Sequence, residues 1–219
     1  MSGGDLFGAL PDHLVQRVLS FLPSRDAVKT AVLARRWRYL WRSTPAVRVH
    51  GSGNYFRLFV NSLLLFRDAA SPLRSFEINA DLLIGEERDE VDPHVDLWIR
   101  HAVSTCRARS LIARFDDQRF WHEKIMWSPR QKLPFASPHL TTMHLRGVIL
   151  DHGSLDLPKL LHLSLRACRL NADAIVSPLL KRLHIMDCES GSPIRISTPS
   201  LRHLQLSGDH QGFLAPAAL

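Results

Sequence analysis

The sequence lacks the features that mark several large classes of protein. Its three cysteines, at positions 106, 168 and 188, are an odd number with no Cys-x-x-Cys pair, a pattern that suggests neither a disulfide framework nor a zinc knuckle. The opening MSGGDLFGAL has no basic segment followed by a long apolar run, and no stretch approaches the roughly 20 apolar residues that span a bilayer. We therefore expect a soluble intracellular protein of the cytoplasm or nucleus, with no membrane partner, metal or cofactor.

The sequence is equally poor in catalytic motifs. It contains no phosphate-binding loop, dinucleotide fingerprint, nucleophile elbow or His-Glu-x-x-His. Its twelve histidines invite an enzymatic interpretation, but four of them (His144, His162, His184 and His203) come directly before apolar residues of a repeated strand pattern. Such positions face away from the core, where a histidine ladder either recognises an acidic ligand or is simply solvated. We predict no catalytic residue and no enzymatic activity.

Positive charge is concentrated near the N-terminus. The net charge is +7, and the first 50 residues hold eight Lys or Arg against three acids, which leaves 20 against 18 in the remainder. A basic unit of this kind suits an acidic protein partner, because opposite charge steers encounter. It would also suit nucleic acid, but no nucleic-acid-binding motif surrounds these arginines.

The first 45 residues predict three short helices. Pro11 and Asp12 fit the start of the first helix, Pro23 ends it, and Ser24 is placed to cap the second. A unit of about 40 residues without disulfides or metal usually needs a partner for stability. The predicted apolar positions are Leu14, Val15, Val18, Leu19 and Leu22 in the first helix, Ala27, Val28, Ala31 and Val32 on the buried side of the second, and Leu33, Trp37, Leu40 and Trp41 in the third.

This segment resembles an F-box, and its closing string VLARRWRYLWRSTP is similar to the plant version. The resemblance rests on the Leu10–Pro11 opening, the LSFLPSRDAV centre and the arginine and tryptophan close. It implies docking onto a Skp-type adaptor, which joins the chain to a cullin-RING ubiquitin ligase. By similarity, the residues at or just behind that contact are Leu10, Pro11, Leu14, Val18, Leu19, Leu22, Val32 and Trp37.

Beyond residue 139 the chain repeats with a period near 20. One copy fits the template L-x-x-L-x-L-x-x-N/C-x-L at every fixed position, and each copy opens after a proline. Each copy predicts one short strand with inward leucines, stacked on its neighbours, and the cysteines at the inward-turning position are expected to be structural. The four copies are Leu140, Met143, Leu145, Val148 and Leu150; Leu160, Leu163, Leu165, Cys168 and Leu170; Leu180, Leu183, Ile185 and Cys188; and Leu201, Leu204 and Leu206.

Earlier and less regular copies predict two more strands, near Phe76 and Leu111, and two helices, over residues 56–64 and 95–106. Plant F-box proteins resemble this arrangement. The predicted fold class is α+β: a small all-helical F-box at residues 1–45, a linker at 46–55 and an irregular leucine-rich-repeat solenoid at 56–219. After Leu206 no polar capping unit is visible, so we expect a repeat domain truncated at its C-terminus.

Two stretches fall outside the repeat pattern. Residues 85–92 (GEERDEVD) predict a solvated acidic loop. Residues 115–132 carry Phe120, Trp121, Met126 and Trp127 among charged residues. They predict a hydrophobic plug over the repeat core, with a lip of the recognition surface as the alternative.

The leading hypothesis is a non-catalytic substrate receptor: the F-box docks to the adaptor and the repeats bind an unknown target protein. The alternatives are a truncated non-receptor that competes for the adaptor and, less favoured, a basic nucleic-acid-associated repeat protein. The sequence does not identify the target or any small-molecule ligand. Candidate target-recognition residues are the solvent-facing strand positions Thr142, His144, His162, Ser164, Arg182, His184, His203 and Gln205.

Overall fold

The structure is a computed structural model that describes residues 10–80, 94–115, 126–129, 135–151 and 154–208, together with the backbone of 213–214. The acidic loop predicted at residues 85–92 lies outside the described residues. So do Phe120 and Trp121 of the predicted plug.

Four short helical segments form an N-terminal helical unit (residues 10–45), where the sequence predicts three short helices. Helices α1 (Asp12–Leu19) and α2 (Ser24–Lys29) are followed by two 3₁₀ helices, Thr30–Val32 and Arg35–Ser43. The small core of this unit consists of four buried residues, Val15, Leu19, Ala27 and Leu40, with Leu10 and Trp37 packed against them.

The prediction that Ser24 caps the second helix is wrong. Pro23 occupies the cap position, and no side-chain capping bond forms there. The Ser24 hydroxyl oxygen instead accepts a hydrogen bond of 2.9 Å from the backbone N–H of Arg48. Ser24 therefore joins the helical unit to the strand that follows it.

The rest of the described chain consists mainly of short strands, with two helices between the early ones. Helix α3 spans Gly53–Leu65, and helix α4 spans His94–Arg100 and continues as a π-helical turn at His101–Thr105. The strands are β1 Ala46–Gly51, β2 Ser75–Ala80, β3 Ser110–Arg114, β4 Thr142–Arg146, β5 Ile149–Leu150, β6 Ser154–Asp156, β7 His162–Arg166, β8 Arg169–Leu170, β9 Ala174–Val176, β10 Arg182–Met186, β11 Glu189–Ser190, β12 Ile194–Ser197, β13 His203–Ser207 and β14 Phe213–Leu214.

The strands form three parallel ladders. The large sheet has the order β1-β2-β3-β4-β7-β10-β13, and two smaller ladders have the orders β11-β8-β5 and β14-β12-β9-β6. Each 20-residue copy from β4 onward adds one strand to the large sheet in exact register, for example Leu145 beside Leu165 and Leu165 beside Ile185. The predicted positions of the early strands, the repeat strands and the two helices are thus confirmed.

The stretch predicted as a linker, residues 46–55, has regular structure. Residues 46–51 form β1, which pairs in parallel with β2, and α3 begins at Gly53. Val47 and Val49 alternate into the core, so burial of these two side chains makes the segment a strand. The division of the chain into two domains stays a prediction.

One continuous core lies between the inner face of the large sheet and the elements that return the chain to it. Helices α3 and α4 meet there through Phe56 and Trp98, whose rings pack edge to face with centroids 5.6 Å apart. Val28 and Trp41 of the helical unit pack against this core as well. Trp127 is buried against Phe115 at a centroid distance of 4.5 Å, which agrees with the plug interpretation for this residue.

Tight turns with positive φ follow the repeat strands at equivalent positions. The residues are Gly147 (φ 69°), Ala167 (φ 47°), Asp187 (φ 53°) and Gly208 (φ 113°). Their backbones stack: Gly147 N–H donates to the carbonyl of Arg166 at 3.2 Å, and Ala167 N–H donates to that of Met186 at 2.9 Å. The left-handed conformation favours glycine, and alanine adopts it with strain.

Cys168 and Cys188 are free, buried thiols at the predicted inward-turning position. A hydrogen bond to Cys188 and burial raise the pKa of the Cys168 thiol. A buried thiol with a raised pKa is a poor nucleophile, so a packing role suits Cys168.

Candidate functional site

Helix α1 has two apolar faces, of which the helical unit uses one. Val15 and Leu19 point into the small core and are 2% exposed. Leu14 and Val18 of α1 are exposed instead, Val18 to 51%, and so is Leu22, which follows the helix. A helix that leaves a second apolar face uncovered is suited to receive another protein.

The 3₁₀ turn after α2 adds two more exposed apolar residues to the helical unit. Val32 is 87% exposed and Leu33 is 70% exposed. The expectation that Val32 lies on the buried side of the second helix is wrong, because the α-helical period ends at Lys29. A 3₁₀ helix has about 3.0 residues per turn, so Val32 is rotated away from the half-buried Val28.

The opening of α1 is held in place by Arg36. The Arg36 guanidinium donates to the Asp12 carboxylate, with Nε–Oδ1 2.8 Å and Nη2–Oδ1 2.6 Å, and also to the carbonyl of Leu10. This contact joins the start of α1 to the second 3₁₀ helix. Pro11, between the two contacted residues, is exposed.

The eight residues predicted to contact or support the adaptor surface occupy three environments. Five are exposed: Pro11, Leu14, Val18, Leu22 and Val32. Leu10 and Trp37 are half-buried against the small core, and Leu19 is buried within it, behind the surface. Their adaptor role itself stays a prediction.

Sequence reasoning missed two members of the exposed apolar surface, Phe21 and Leu33, both 70% exposed. Phe21 lies three residues after Val18, the spacing of neighbours on one helix face, and that signal was available. We define the apolar docking surface as Leu14, Val18, Phe21, Leu22, Val32 and Leu33.

The opposite side of the helical unit is covered by the rest of the chain. The backbone N–H of Arg48, which donates to Ser24, belongs to β1. This strand is at the edge of the large sheet, where backbone groups not used in strand pairing need another partner. The Arg25 guanidinium lies 5.6 Å from the centroid of the Phe59 ring on α3. These contacts fix the orientation of the docking surface relative to the sheet.

A second candidate surface is the outer face of the large sheet, opposite the core. Parallel register places all eight predicted recognition residues on this face, in two rows that cross β4, β7, β10 and β13. The first row is Thr142, His162, Arg182 and His203, and the second row is His144, Ser164, His184 and Gln205.

The structure adds a third row that the sequence interpretation missed. Arg114, Arg146 and Arg166 lie at the same register on β3, β4 and β7. The signal in the sequence was the arginine that directly follows the second inward residue of the strand in two successive copies, after Leu145 and after Leu165. Alternation puts that arginine outward, on the same face as the histidines.

Ion pairs with Glu77 balance two arginines near the N-terminal end of the outer face. Glu77 pairs with Arg114 at 2.5 Å and with Arg48 at 3.4 Å. Toward β13, Arg166 lies 4.0 Å from Asp187, whereas Lys181 and Arg182 make no ion pair with an acidic residue of the described ranges. The C-terminal half of the face is therefore electropositive.

The positive charge of the outer face and burial both affect two of its histidines. Desolvation and then the nearby Arg114, His162 and His184 lower the pKa of His144. Desolvation and then Arg182, Lys181 and His184 lower the pKa of His162. Both imidazoles are therefore mostly neutral at pH 7 and gain charge only in more acidic solution.

Among the described residues, no group of three or more His, Cys, Asp or Glu side chains is arranged to hold a metal ion. No helix in the described part of the chain has the length and apolar character needed to cross a membrane.

Comparison with known proteins places the helical unit in a family. The F-box domain matches residues 7–46. An F-box/LRR-repeat protein of Arabidopsis thaliana is 26% identical over 220 residues, covering 94% of this chain and 44% of that protein. A second Arabidopsis thaliana F-box protein is 26% identical, covering 94% of this chain and 64% of that protein.

A meiotic F-box protein of Oryza sativa subsp. japonica is 29% identical over 227 residues, covering 92% of this chain and 46% of its own length. The chain thus spans about half the length of these relatives. No solved structure matches it.

Proposed function

We propose that this chain, a plant-type F-box protein with leucine-rich-type repeats, is a substrate receptor of a Skp-cullin-F-box ubiquitin ligase. In this proposal the F-box docks onto a Skp-type adaptor, and the repeats, stacked as a leucine-rich-repeat solenoid, bind a target protein. F-box proteins are generally non-catalytic components of such ligases, so the transfer chemistry belongs to other subunits.

The observation that carries the proposal is the apolar docking surface beside a very small core. The F-box core has four buried apolar residues, while six other apolar residues of the same unit remain exposed. Exposed apolar patches of this size mark interaction sites. The side of the F-box that is covered by the sheet is a different one, so the surface stays available in the folded chain.

The proposed receptor function is proximity. Holding a target beside a ligase raises its effective concentration, which is enough to direct transfer without a catalytic group in this chain. Lys181 and Arg182, which make no ion pair with a described acidic residue, and the histidines of the outer sheet face support that face as the target-binding surface.

The first experiment measures binding of the full chain to a purified Skp-type adaptor. Leu10→Ala with Pro11→Ala should abolish co-purification, because this pair forms the opening that Arg36 orients. Tyr55→Ala with Leu58→Ala is the matched control, since both residues are exposed and apolar but lie on α3, outside the F-box. Full binding by the Leu10 and Pro11 variant would refute the proposed adaptor role of these two residues.

A reconstituted ligase separates the receptor from the competitor. A receptor transfers ubiquitin to a protein captured on its repeats. A chain that only lowers the output of another F-box protein, while no target of its own is modified, would replace the receptor proposal with the competitor alternative.

A further inference from the structure

We infer that the outer face of the large sheet, from β4 to β13, is a binding surface for an acidic polypeptide segment rich in Asp or Glu. This inference deepens the proposed receptor function, because it names the chemistry of the target. It rests on the proposed function in one respect: that the bound segment belongs to a target of the ligase.

The first argument is the charge that this face presents. The outward positions of the seven strands hold five arginines and five histidines against one acid, Glu77. Glu77 is already paired with Arg48 and Arg114 at the N-terminal end. Lys181 and Arg182, at the other end, have no acidic partner among the described residues.

The second argument is the row that holds His162. This histidine lies in register between Thr142 and Arg182. A carboxylate arriving above this row would meet the guanidinium of Arg182 and an imidazole that can supply an N–H donor.

The third argument is spacing, which favours an extended segment over a single anion. Neighbouring strands lie about 4.8 Å apart, so the four strands β4, β7, β10 and β13 span about 14 Å. Four or five extended residues cover that distance at about 3.3 Å each. The cationic and imidazole groups are distributed along this length and do not converge on one point, as a pocket for one phosphate would require.

Nucleic acid fits the same face less well. Single-stranded nucleic acid binds on platforms that stack bases on aromatic rings, and no Phe, Tyr or Trp occupies an outward position of the seven described strands of the large sheet. His144 and His162 are mostly neutral at pH 7 and add little charge to attract phosphates. Imidazole N–H groups can still donate to carboxylates without being charged.

A direct binding measurement tests the inference without the adaptor. The probes are a fluorescein-labelled peptide of glutamates long enough to cross four strands, the same peptide with glutamine at every position, and single-stranded DNA of equal charge. Fluorescence anisotropy with the full chain should show binding of the glutamate peptide, none of the glutamine peptide, and weaker binding of the DNA.

The variant pair is Arg182→Glu and Arg195→Glu. Both change the net charge equally, but Arg195 is on β12, in a different ladder. Arg182→Glu should weaken glutamate-peptide binding about fivefold or more, and Arg195→Glu should change it by less than about twofold. Affinity should also rise as the pH falls from about 7.5 to about 6, because an anionic segment favours the charged imidazoles.

Three outcomes would overturn the inference: equal affinity for the glutamate and glutamine peptides, equal weakening by the two variants, or stronger binding of the DNA. Adaptor binding is measured on the same preparations. Intact adaptor docking with no peptide binding removes the acidic-segment inference and leaves the F-box function standing. Peptide binding by a chain that fails to bind the adaptor removes the proposed F-box function and leaves the acidic-segment inference standing.

Discussion

Val32 provides the sharpest single-residue test of the apolar docking surface. Its side chain is 87% exposed, so Val32→Asp removes no packing from the folded chain and should change its stability by less than about 0.5 kcal/mol. If the adaptor covers Val32, the variant forfeits the burial of a valine, about 1.5 kcal/mol. It also places a carboxylate in an apolar contact, at a cost of about 1 to 2 kcal/mol. The sum, about 3 kcal/mol, corresponds to a Kd that is weaker by about 150-fold.

Isothermal titration of the Val32→Asp chain with a purified Skp-type adaptor measures this change, and thermal unfolding verifies that the variant is folded. Leu58→Asp is the control, because Leu58 is also exposed and apolar but belongs to α3, and its Kd should match that of the unmodified chain. A folded Val32→Asp chain whose Kd lies within about threefold of the unmodified value would show that the adaptor does not cover this residue. The docking surface would then have to be redrawn without it.

Three further predictions concern stability and are measured by urea or thermal unfolding. The pKa values of His144 and His162 are lowered in the folded chain, so the unfolded chain binds more protons once the pH falls below the ordinary value of 6.5. The free energy of unfolding should therefore decline as the solution becomes more acidic than that pH. The decline should be smaller in the His144→Gln, His162→Gln double variant. A midpoint that rises in acid would contradict this. Ser177→Ala should destabilise the chain by about 1 kcal/mol, because the buried hydroxyl donates to the Leu157 carbonyl at 2.7 Å, whereas Ser200→Ala, at an exposed position, should have no measurable effect. Gly147→Ala should lower the free energy of unfolding by about 1 kcal/mol, because the φ of residue 147 is 69°. Ala167→Gly, at the equivalent turn, should be neutral or stabilising. Equal losses of stability in both variants would refute the argument from turn conformation.

Local periodicity predicted the elements well where burial follows one simple period. The 20-residue spacing of leucines located β4, β7, β10 and β13, since each strand needs alternate apolar residues and each repeat returns the chain to the same position. The segment at residues 46–51 also alternates, through Val47 and Val49, but the Gly51–Gly53 stretch next to it favoured a linker. Its pairing with β2 depends on residues nearly 30 positions away.

The errors in the F-box have a similar origin. Ser24 has the right type and position for a cap, yet its hydroxyl accepts from Arg48 because the helical unit packs against the edge of the sheet. Val32 continues the apolar pattern of the second helix, but the change to a 3₁₀ turn directs it outward. Neither outcome is encoded in the neighbouring residues alone.

The sequence by itself determined the kinds of element, their order and the apolar side of each, because helical and strand periods are local properties of the chain. Tertiary structure decided which apolar residues stay uncovered beside the small F-box core. It also decided that the row of Arg114, Arg146 and Arg166 lies on the same open face as the two rows that contain the histidines. The physical reason is that parallel pairing brings together residues 20 or more positions apart, and exposure depends on which surfaces those pairings bury.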